Sequence, residues 1–242
     1  MLLLAGSATA LATGLGAIPV FMLGDRSGAL RPALWGFAVG TMGVASVVGL
    51  LMPAADEGSA TELVGGASFG IAFMLSVRRL LSRHKMRVAG MNATQVRTSA
   101  LVFLVLLVHS APEGLAIGTA YASETAGLGL FVILAIALQN VPEGTSTAIP
   151  MAAAGFSRKQ QFWAAVLTSA PQPLMAVLAF VLVEEVASLL PISFAFAAGA
   201  MLALVAFELI PQSLMGGRRS GALIGAAGGV AVMLALAAAL GV

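Results

Sequence analysis

The chain has 242 residues, of which 60% are hydrophobic and 9% are charged, and its net charge is +2. A soluble domain carries about 25% charged residues, so the composition excludes a soluble globular fold and predicts an integral membrane protein. The apolar runs do not alternate with polar residues, which excludes a transmembrane β-barrel. The absence of cysteine excludes disulfides and thiolate metal ligands.

Eight apolar runs approach or exceed the ~20 residues that cross a bilayer as a helix. The first run lacks a basic start and continues without a break, so a cleaved signal peptide is the less favoured interpretation. We predict an all-α integral membrane protein with one domain, 1–242, and eight transmembrane helices in a bundle. The predicted spans are 2–23, 33–53, 60–77, 99–121, 126–153, 161–183, 190–212 and 220–241.

The charged residues between these spans divide cleanly between two sides. Every lysine and arginine lies in a connection that follows an odd-numbered span, and the other connections hold only acidic charges. Short loops rich in Lys and Arg stay in the cytoplasm, so both termini are predicted to lie outside. Trp35 and Trp163 fall near cytoplasmic span ends and are predicted to be interface anchors.

The longest connection, over about 78–98, is predicted to be a basic cytoplasmic loop. His84 in this loop raises the alternative of a metal-sensing loop, but the neighbouring cations favour a solvated loop that touches anionic lipid. Because the cations sit between spans, nucleic acid is not a predicted partner. The Ala-rich, Lys-poor composition indicates a bacterium, and hence its inner membrane.

Two copies of one short motif lie at membrane depth in spans 4 and 5. They read His-Ser-Ala-Pro-Glu-Gly at 109–114 and Gln-Asn-Val-Pro-Glu-Gly at 139–144. Each proline should kink its helix, and broken helices in lipid tend to line polar cavities. An ionisable group at this depth costs a few kcal/mol and by default marks a function.

Four side chains of these motifs predict a site for a divalent cation. Residues four apart share a helix face, which pairs His109 with Glu113 and Gln139 with Glu143. Two carboxylates neutralise a dication, and imidazole favours zinc, iron, nickel or copper over magnesium or calcium. Without the cation the carboxylates repel each other and share a proton, so metal occupancy should fall at acidic pH. A purely structural role for two matching glutamates is less favoured.

Three further residues at membrane depth are weaker candidates. Glu208 in span 7 is ionisable and is assigned to an exit path or proton step, with helix packing nearly as well supported. Gln172 lies between two prolines of span 6 and is expected to satisfy backbone groups at that kink. Met42 in span 2 is a soft donor, but packing is its favoured role.

A weak internal similarity relates spans 2 and 7. The sequence Phe-Ala-Val-Gly-Thr-Met at 37–42 is similar to Phe-Ala-Ala-Gly-Ala-Met at 196–201, and Pro53 and Pro211 come later at similar distances. The two spans run in opposite directions. We therefore predict an inverted repeat that relates spans 1–3 to spans 6–8 around central spans 4 and 5, as in secondary transporters.

The central motifs resemble the span 4 and span 5 signatures of the Zrt/Irt-like (ZIP) metal transporters, nearest the bacterial GufA-like branch. Segments 13–19, 40–42 and 199–211 are similar to the first, second and seventh spans of that family. The resemblance implies uptake of a divalent metal toward the cytoplasm, zinc foremost, with iron, manganese and cadmium as the other candidates. The metal would be a transported substrate rather than a cofactor, and the bundle would form a homodimer in the lipid bilayer.

The same resemblance assigns ligands by position. The primary ligands would be His109, Glu113, Gln139 and Glu143, with Met42 nearby. Three residues depart from the family pattern around a second metal position. Without them, that position would keep only the two glutamates that it shares with the first. We therefore expect one strong site rather than two. The three departures are Ser110 where Asn is usual, Asn140 where Asp occurs, and Gln172 where Glu is common.

Other functions remain open at this point. A metal sensor or transport-altered family member would bind metal without flux, and a channel would conduct without saturation. An intramembrane zinc hydrolase needs about three firm ligands and an open water position, and its His-Glu-x-x-His motif is absent. The chain is therefore not predicted to be an enzyme.

Overall fold

The computed structural model describes residues 1–83, 93–215 and 219–242, and the regular structure in these ranges is helical. Eight helical segments there are long and apolar enough to cross a membrane, which confirms the predicted number. Their ends lie near the predicted ones, and the largest difference is at the start of span 2. Spans 1 to 8 are Leu2–Leu23, Ser27–Glu57, Ala60–Leu80, Val102–Ala122, Leu128–Ala153, Arg158–Glu185, Leu189–Leu214 and Arg219–Leu240.

Several spans consist of more than one helical piece. Span 6 breaks just before Pro171, because a proline lacks the N–H that would continue the preceding helix. A 3-10 helix, Gly24–Leu30, joins spans 1 and 2. The α-helices are Leu2–Leu15, Ile18–Leu23, Arg31–Ser46, Met52–Glu57, Ala60–Arg83, Ala93–Ala122, Leu128–Ala153, Arg158–Thr168, Pro171–Glu185, Leu189–Leu204, Ile210–Leu214 and Arg219–Leu240.

The loop predicted over 78–98 is shorter than expected, because helices enter it from both ends. The helix of span 3 extends to Arg83, and the helix of span 4 begins at Ala93. His84, and with it the alternative of a metal-sensing loop, lies outside the described residues.

The spans pack as two close pairs and one group of four. Span 2 packs on span 8 and span 3 on span 7, while spans 1, 4, 5 and 6 pack together. A Cβ added to Gly40 would overlap Ala226 of span 8, and one added to Gly70 would overlap Phe196 of span 7. Small residues allow this close approach of helices in lipid. The group of four brings the two motif-bearing spans together.

Spans 2 and 7 share an unusual local feature. Each contains a five-residue π-helical segment, Val47–Leu51 in span 2 and Val205–Leu209 in span 7. Pro53 and Pro211 come after these segments at the same distance. Because π segments are rare, this match supports the inverted repeat, which remains a prediction.

Trp35 does not lie where it was predicted. Its side chain is 3% exposed and packs in the main apolar core, whereas Trp163 is 49% exposed, as an interface anchor would be. Trp35, Ala38 and Met42 are three and four residues apart, which puts them on the inward face of span 2. Trp35 is therefore buried because it lies on the inward face of its helix, although it is near the end of the span.

Candidate metal site

The four predicted primary ligands are all buried in the group of four spans. His109 and Glu113 lie one turn apart on the helix Ala93–Ala122, which contains Pro112. Gln139 and Glu143 lie one turn apart on the helix Leu128–Ala153, which contains Pro142. Their exposed fractions are between 0% and 6%. All four side chains are therefore buried in the bundle.

Direct contacts join the two motifs through Glu113. The Gln139 amide Nε2 donates to Glu113 Oε1 over 2.8 Å. The carboxyl group of Glu143 lies within hydrogen-bonding reach of Glu113. Two carboxyl groups this close repel each other unless a proton or a cation lies between them. The arrangement therefore favours a positive charge at this point.

Three of the four side chains also carry a buried polar atom without a hydrogen-bond partner among the described residues. These atoms are His109 Nδ1, Gln139 Oε1 and Glu143 Oε1. An unsatisfied buried polar group costs about 1–3 kcal/mol, so each of these three atoms requires an explanation. Imidazole nitrogen, amide oxygen and carboxylate oxygen can all coordinate a borderline cation such as zinc. We call these three residues the ligand side of the site.

The predicted convergence of the four side chains is partial in this conformation. Within the described ranges, no three His, Cys, Asp or Glu side chains form a group that could hold a metal. His109 instead lines two cavities that extend toward Arg31 and Arg78, at the end of the bundle that carries the basic connections. The imidazole therefore lies on these two cavities, which Glu113 and Glu143 do not line.

Gln172 and Asn140 form a saturated network on the other side of Glu113. Gln172 Nε2 donates to Glu113 Oε2 over 2.7 Å, and Gln172 Oε1 accepts from Thr9 Oγ1 over 2.7 Å. Asn140 Nδ2 donates to the Thr9 carbonyl oxygen over 2.7 Å. The backbone role predicted for Gln172 is thus wrong, because its amide bonds side chains. We call Thr9, Asn140 and Gln172 the amide seam.

Ser110 is also satisfied by the protein. Its hydroxyl contacts two carbonyl oxygens, that of Leu106 at 2.9 Å and that of Thr168 in span 6. A short chain of buried hydroxyls continues beside it, where Thr13 and Ser169 lie 2.7 Å apart. Sequence reasoning missed Thr9 and Thr13, although their spacing of four in an apolar span is a signal for one polar face.

Glu208 lies on the two cavities that reach His109. The larger cavity has a volume of about 240 Å³, the smaller about 140 Å³, and both are lined by His109 and Glu208. Gln212 Nε2 donates to Glu208 Oε1 over 2.8 Å, and Arg78 Nε lies 3.8 Å from Glu208 Oε2. Glu208 is therefore a partly exposed carboxylate that lines both cavities.

Met42 lies in the main apolar core and is fully buried. It packs there with Trp35 and aliphatic side chains of spans 2, 5 and 7. This position fits the packing role that the sequence favours for it.

Comparison with known proteins finds relatives over nearly the whole chain. A family model described as ZIP Zinc transporter matches residues 78–237. Zinc transporter GufA of Myxococcus xanthus is 32% identical over 99% of this chain and 97% of its own length. Zinc transporter ZIPB of Bordetella bronchiseptica is 33% identical over 98% of this chain and 81% of its own length.

A helical bundle with buried acidic motifs in its central spans defines a polytopic membrane protein of the transporter class. The chain belongs to the ZIP family and resembles its bacterial GufA-like members. A longer Arabidopsis thaliana protein is 34% identical over 85% of this chain, which spans 33% of that relative. The relatives are named transporters and not enzymes, so a metal is a substrate here and not a cofactor.

Proposed function

We propose that this protein moves a divalent cation, zinc foremost, across the membrane toward the cytoplasm. His109, Glu113, Gln139 and Glu143 bind the cation in transit. The observation that carries the proposal is the ligand side, where three buried atoms of three different ligand types lack partners among the described residues. A cation between the two carboxyl groups, with His109 turned toward them from the cavities, would satisfy all three atoms.

The charge of the site suits a dication. Glu113 and Glu143 carry two negative charges, so one dication leaves the buried site neutral, which offsets the loss of its hydration water. An imidazole ligand favours zinc and iron over magnesium and calcium, while manganese and cadmium are the next candidates. The chain has no cysteine, and the absence of thiolates suits a site that must release its ion.

The cavities give the cation a way out. Both extend from His109 to Glu208, Arg31 or Arg78 at the end with the basic connections. Under the positive-inside rule this end is cytoplasmic. Glu208 then acts as the carboxylate that receives the ion on its exit path. Glu113, Gln139 and Glu143 are buried and line neither of these cavities, so in this conformation the cavities end at His109.

The proposed location is the bacterial inner membrane with both termini outside, in a homodimer. The chain has no native cysteine, so single cysteines at Glu124 and Ala154 report the two sides without background. An impermeant maleimide added to intact cells should label Glu124→Cys and leave Ala154→Cys unlabelled until the cells are opened. The reverse pattern would refute the orientation.

Uptake of radiolabelled zinc into proteoliposomes tests the function. The wild type should show saturable uptake, and Glu113→Ala and Glu143→Ala should lose it. Glu62→Gln is the matched control, because Glu62 is exposed at the start of span 3 and its carboxylate bonds Ser59 among the described residues. Size-exclusion profiles identify a variant that has not folded.

Three outcomes contradict the proposal in different ways. Zinc that binds without any uptake would indicate a metal sensor in place of a transporter. Uptake that survives both alanine substitutions would refute the site. Uptake without saturation, accompanied by conductance, would indicate a channel.

A further inference from the structure

An apolar groove lies between spans 3 and 7 on one side and spans 4 and 6 on the other. Its volume is about 200 Å³, and it shares no lining residue with the two cavities that reach His109. Among the described residues, seven apolar side chains and one hydroxyl, that of Ser193, line it. The pair of spans 3 and 7 and the group that contains spans 4 and 6 thus leave a gap between them.

The groove has a buried floor and exposed rims. Ala179 of span 6 is buried and forms the floor, while Phe69 of span 3 and Leu182 of span 6 are exposed and form the rims. The rings of Phe69 and Phe196 lie 5.4 Å apart and pack on each other, which gives the wall of spans 3 and 7 a defined shape. A chain in this groove therefore contacts the protein on several sides, unlike a lipid on a convex surface.

Hydrocarbon fills this groove better than water does. A confined water molecule needs two to four polar partners, and Ser193 is the one polar side chain among the described lining residues. An empty groove would forfeit the dispersion contacts of its walls. The lining residues belong to membrane-spanning helices, so the surrounding medium is made of acyl chains. An acyl chain is therefore the occupant that suits the walls.

Charge at one end of the groove selects the headgroup of that lipid. Glu184 and Glu185 are exposed at the end of span 6, directly after the lining residue Leu182. The connections at this end of the bundle contain acidic residues and no lysine or arginine. These carboxylates attract the ammonium of an ethanolamine headgroup and repel a headgroup that has a net negative charge.

We propose that the groove binds one lipid with an ethanolamine headgroup. The acyl chain lies between the two packing units, and the ammonium lies at Glu184 and Glu185. Because the lipid contacts spans 3 and 7 as well as spans 4 and 6, it connects the two units through hydrocarbon. The inference is independent of the transport proposal, since it involves neither the metal ligands nor the cavities beside them.

A second copy of the chain is a less suitable occupant. Two copies that cross the membrane in the same direction would bring the same acidic ends together. The connections at that end have no lysine or arginine to pair with the carboxylates, so the copies would repel each other there. A zwitterionic lipid brings the missing positive charge.

Native mass spectrometry of the full chain in detergent tests the headgroup. Phosphatidylethanolamine and phosphatidylglycerol with the same acyl chains are added in equal amounts. The wild type should retain one phosphatidylethanolamine, with a preference of about fivefold. Glu184→Gln combined with Glu185→Gln should remove the preference. The control combines Asp56→Asn with Glu124→Gln, exposed acids farther along the chain from any lining residue, and should keep it.

A matched pair of leucines tests the groove itself. Leu178 and Leu182 lie one turn apart on span 6 and are both 46% exposed, but only Leu182 lines the groove. Leu182→Ala should lower the retained phosphatidylethanolamine by about threefold, and Leu178→Ala should leave it unchanged. Ser193→Phe fills the groove and should lower it by about tenfold. Size-exclusion profiles identify a variant that has not folded, and Leu182→Ala tests the groove without adding volume.

Three outcomes would overturn the inference. Equal retention of the two lipids by the wild type would reject the headgroup. Equal effects of Leu182→Ala and Leu178→Ala would show that lipid covers span 6 without using the groove. Loss of a dimer in Ser193→Phe with lipid still retained would show that a second copy occupies the groove. None of these results bears on zinc uptake, which the proteoliposome experiment measures separately.

Discussion

The two sides of Glu113 are both buried, and each contains a glutamine, but they differ in charge and in the use of hydrogen bonds. On the ligand side, His109, Gln139 and Glu143 each keep an atom without a partner among the described residues. On the seam side, Asn140 and Gln172 use every amide hydrogen within the protein. Burial and residue type alone would rank Gln139 and Gln172 equally as ligands. Unused hydrogen-bonding capacity separates the two.

The largest expected effect comes from removing a charge on the ligand side. Glu143→Gln keeps the shape and removes one of two charges that neutralise the cation. Breaking a buried charge pair costs about 3–5 kcal/mol, so zinc uptake should fall by about 100-fold or more. Proteoliposome uptake measures it, with Glu62→Gln as control. A fall of less than about threefold would break the distinction between the two sides.

Removing the imidazole should have the next largest effect. His109→Ala deletes a nitrogen ligand, so zinc uptake should fall by about tenfold and the preference for zinc over manganese should weaken. Competition of radiolabelled zinc with manganese, in wild type and variant, measures both changes. An unchanged preference would show that His109 only lines the cavities.

Protons should compete with zinc at the ligand side. Glu113 and Glu143 face each other, so either a proton or the metal lies between them, and metal binding releases protons. Bound zinc at subsaturating metal should fall as the pH drops, by up to about tenfold per pH unit for each proton released. Equilibrium dialysis across a pH series measures it. Zinc occupancy independent of pH would contradict the shared position.

A change in the amide seam should lower the stability of the protein while it leaves zinc affinity nearly unchanged. Thr9→Val removes one donor to Gln172, while Asn140 still donates to the same oxygen. The free energy of unfolding should fall by about 0.5–1.5 kcal/mol, with zinc affinity within about twofold of wild type. Denaturation in detergent and dialysis measure the two. Thr119→Val is the control, since Thr119 Oγ1 is buried without a partner in the described structure.

The smallest effect is expected at the cavity mouth. Arg78 is 56% exposed on its side chain and its nitrogen lies 3.8 Å from Glu208, so the pair contributes less than about 1 kcal/mol. Arg78→Ala should change zinc uptake by about twofold or less. A tenfold loss would show that this ion pair, and not the ligand side, limits transport.

Periodicity and charge predict much of this molecule. Apolar runs and the placement of Arg and Lys were enough to predict the eight spans. Unpaired backbone groups and charges are costly in lipid, which leaves few other arrangements of the chain. The spacing of four between His109 and Glu113 predicted one shared face, and both side chains are buried, but of the two only His109 lines the cavities. These are local properties of one helix.

Properties that depend on contact between spans were not predictable. The backbone role expected for Gln172 was wrong, because its partners Thr9 and Asn140 come from spans far apart in sequence. Trp35 was misplaced because its nearness to a span end was considered without the inward face of its helix. The rotation and depth of one helix against another are set by packing, which a single periodic pattern does not contain.

The π-helical segment of span 7 makes the direction of Glu208 sensitive to the deletion of one residue. It contains Glu208 and holds one residue more than a regular turn, so it rotates the rest of the span by about 100° around the helix axis. Deleting Ala206 would leave a span of nearly the same length and composition but would turn Glu208 relative to Ala203 and Leu204, which line the same cavity. A loss of one codon would thus preserve membrane insertion while it redirects the carboxylate that lines both cavities.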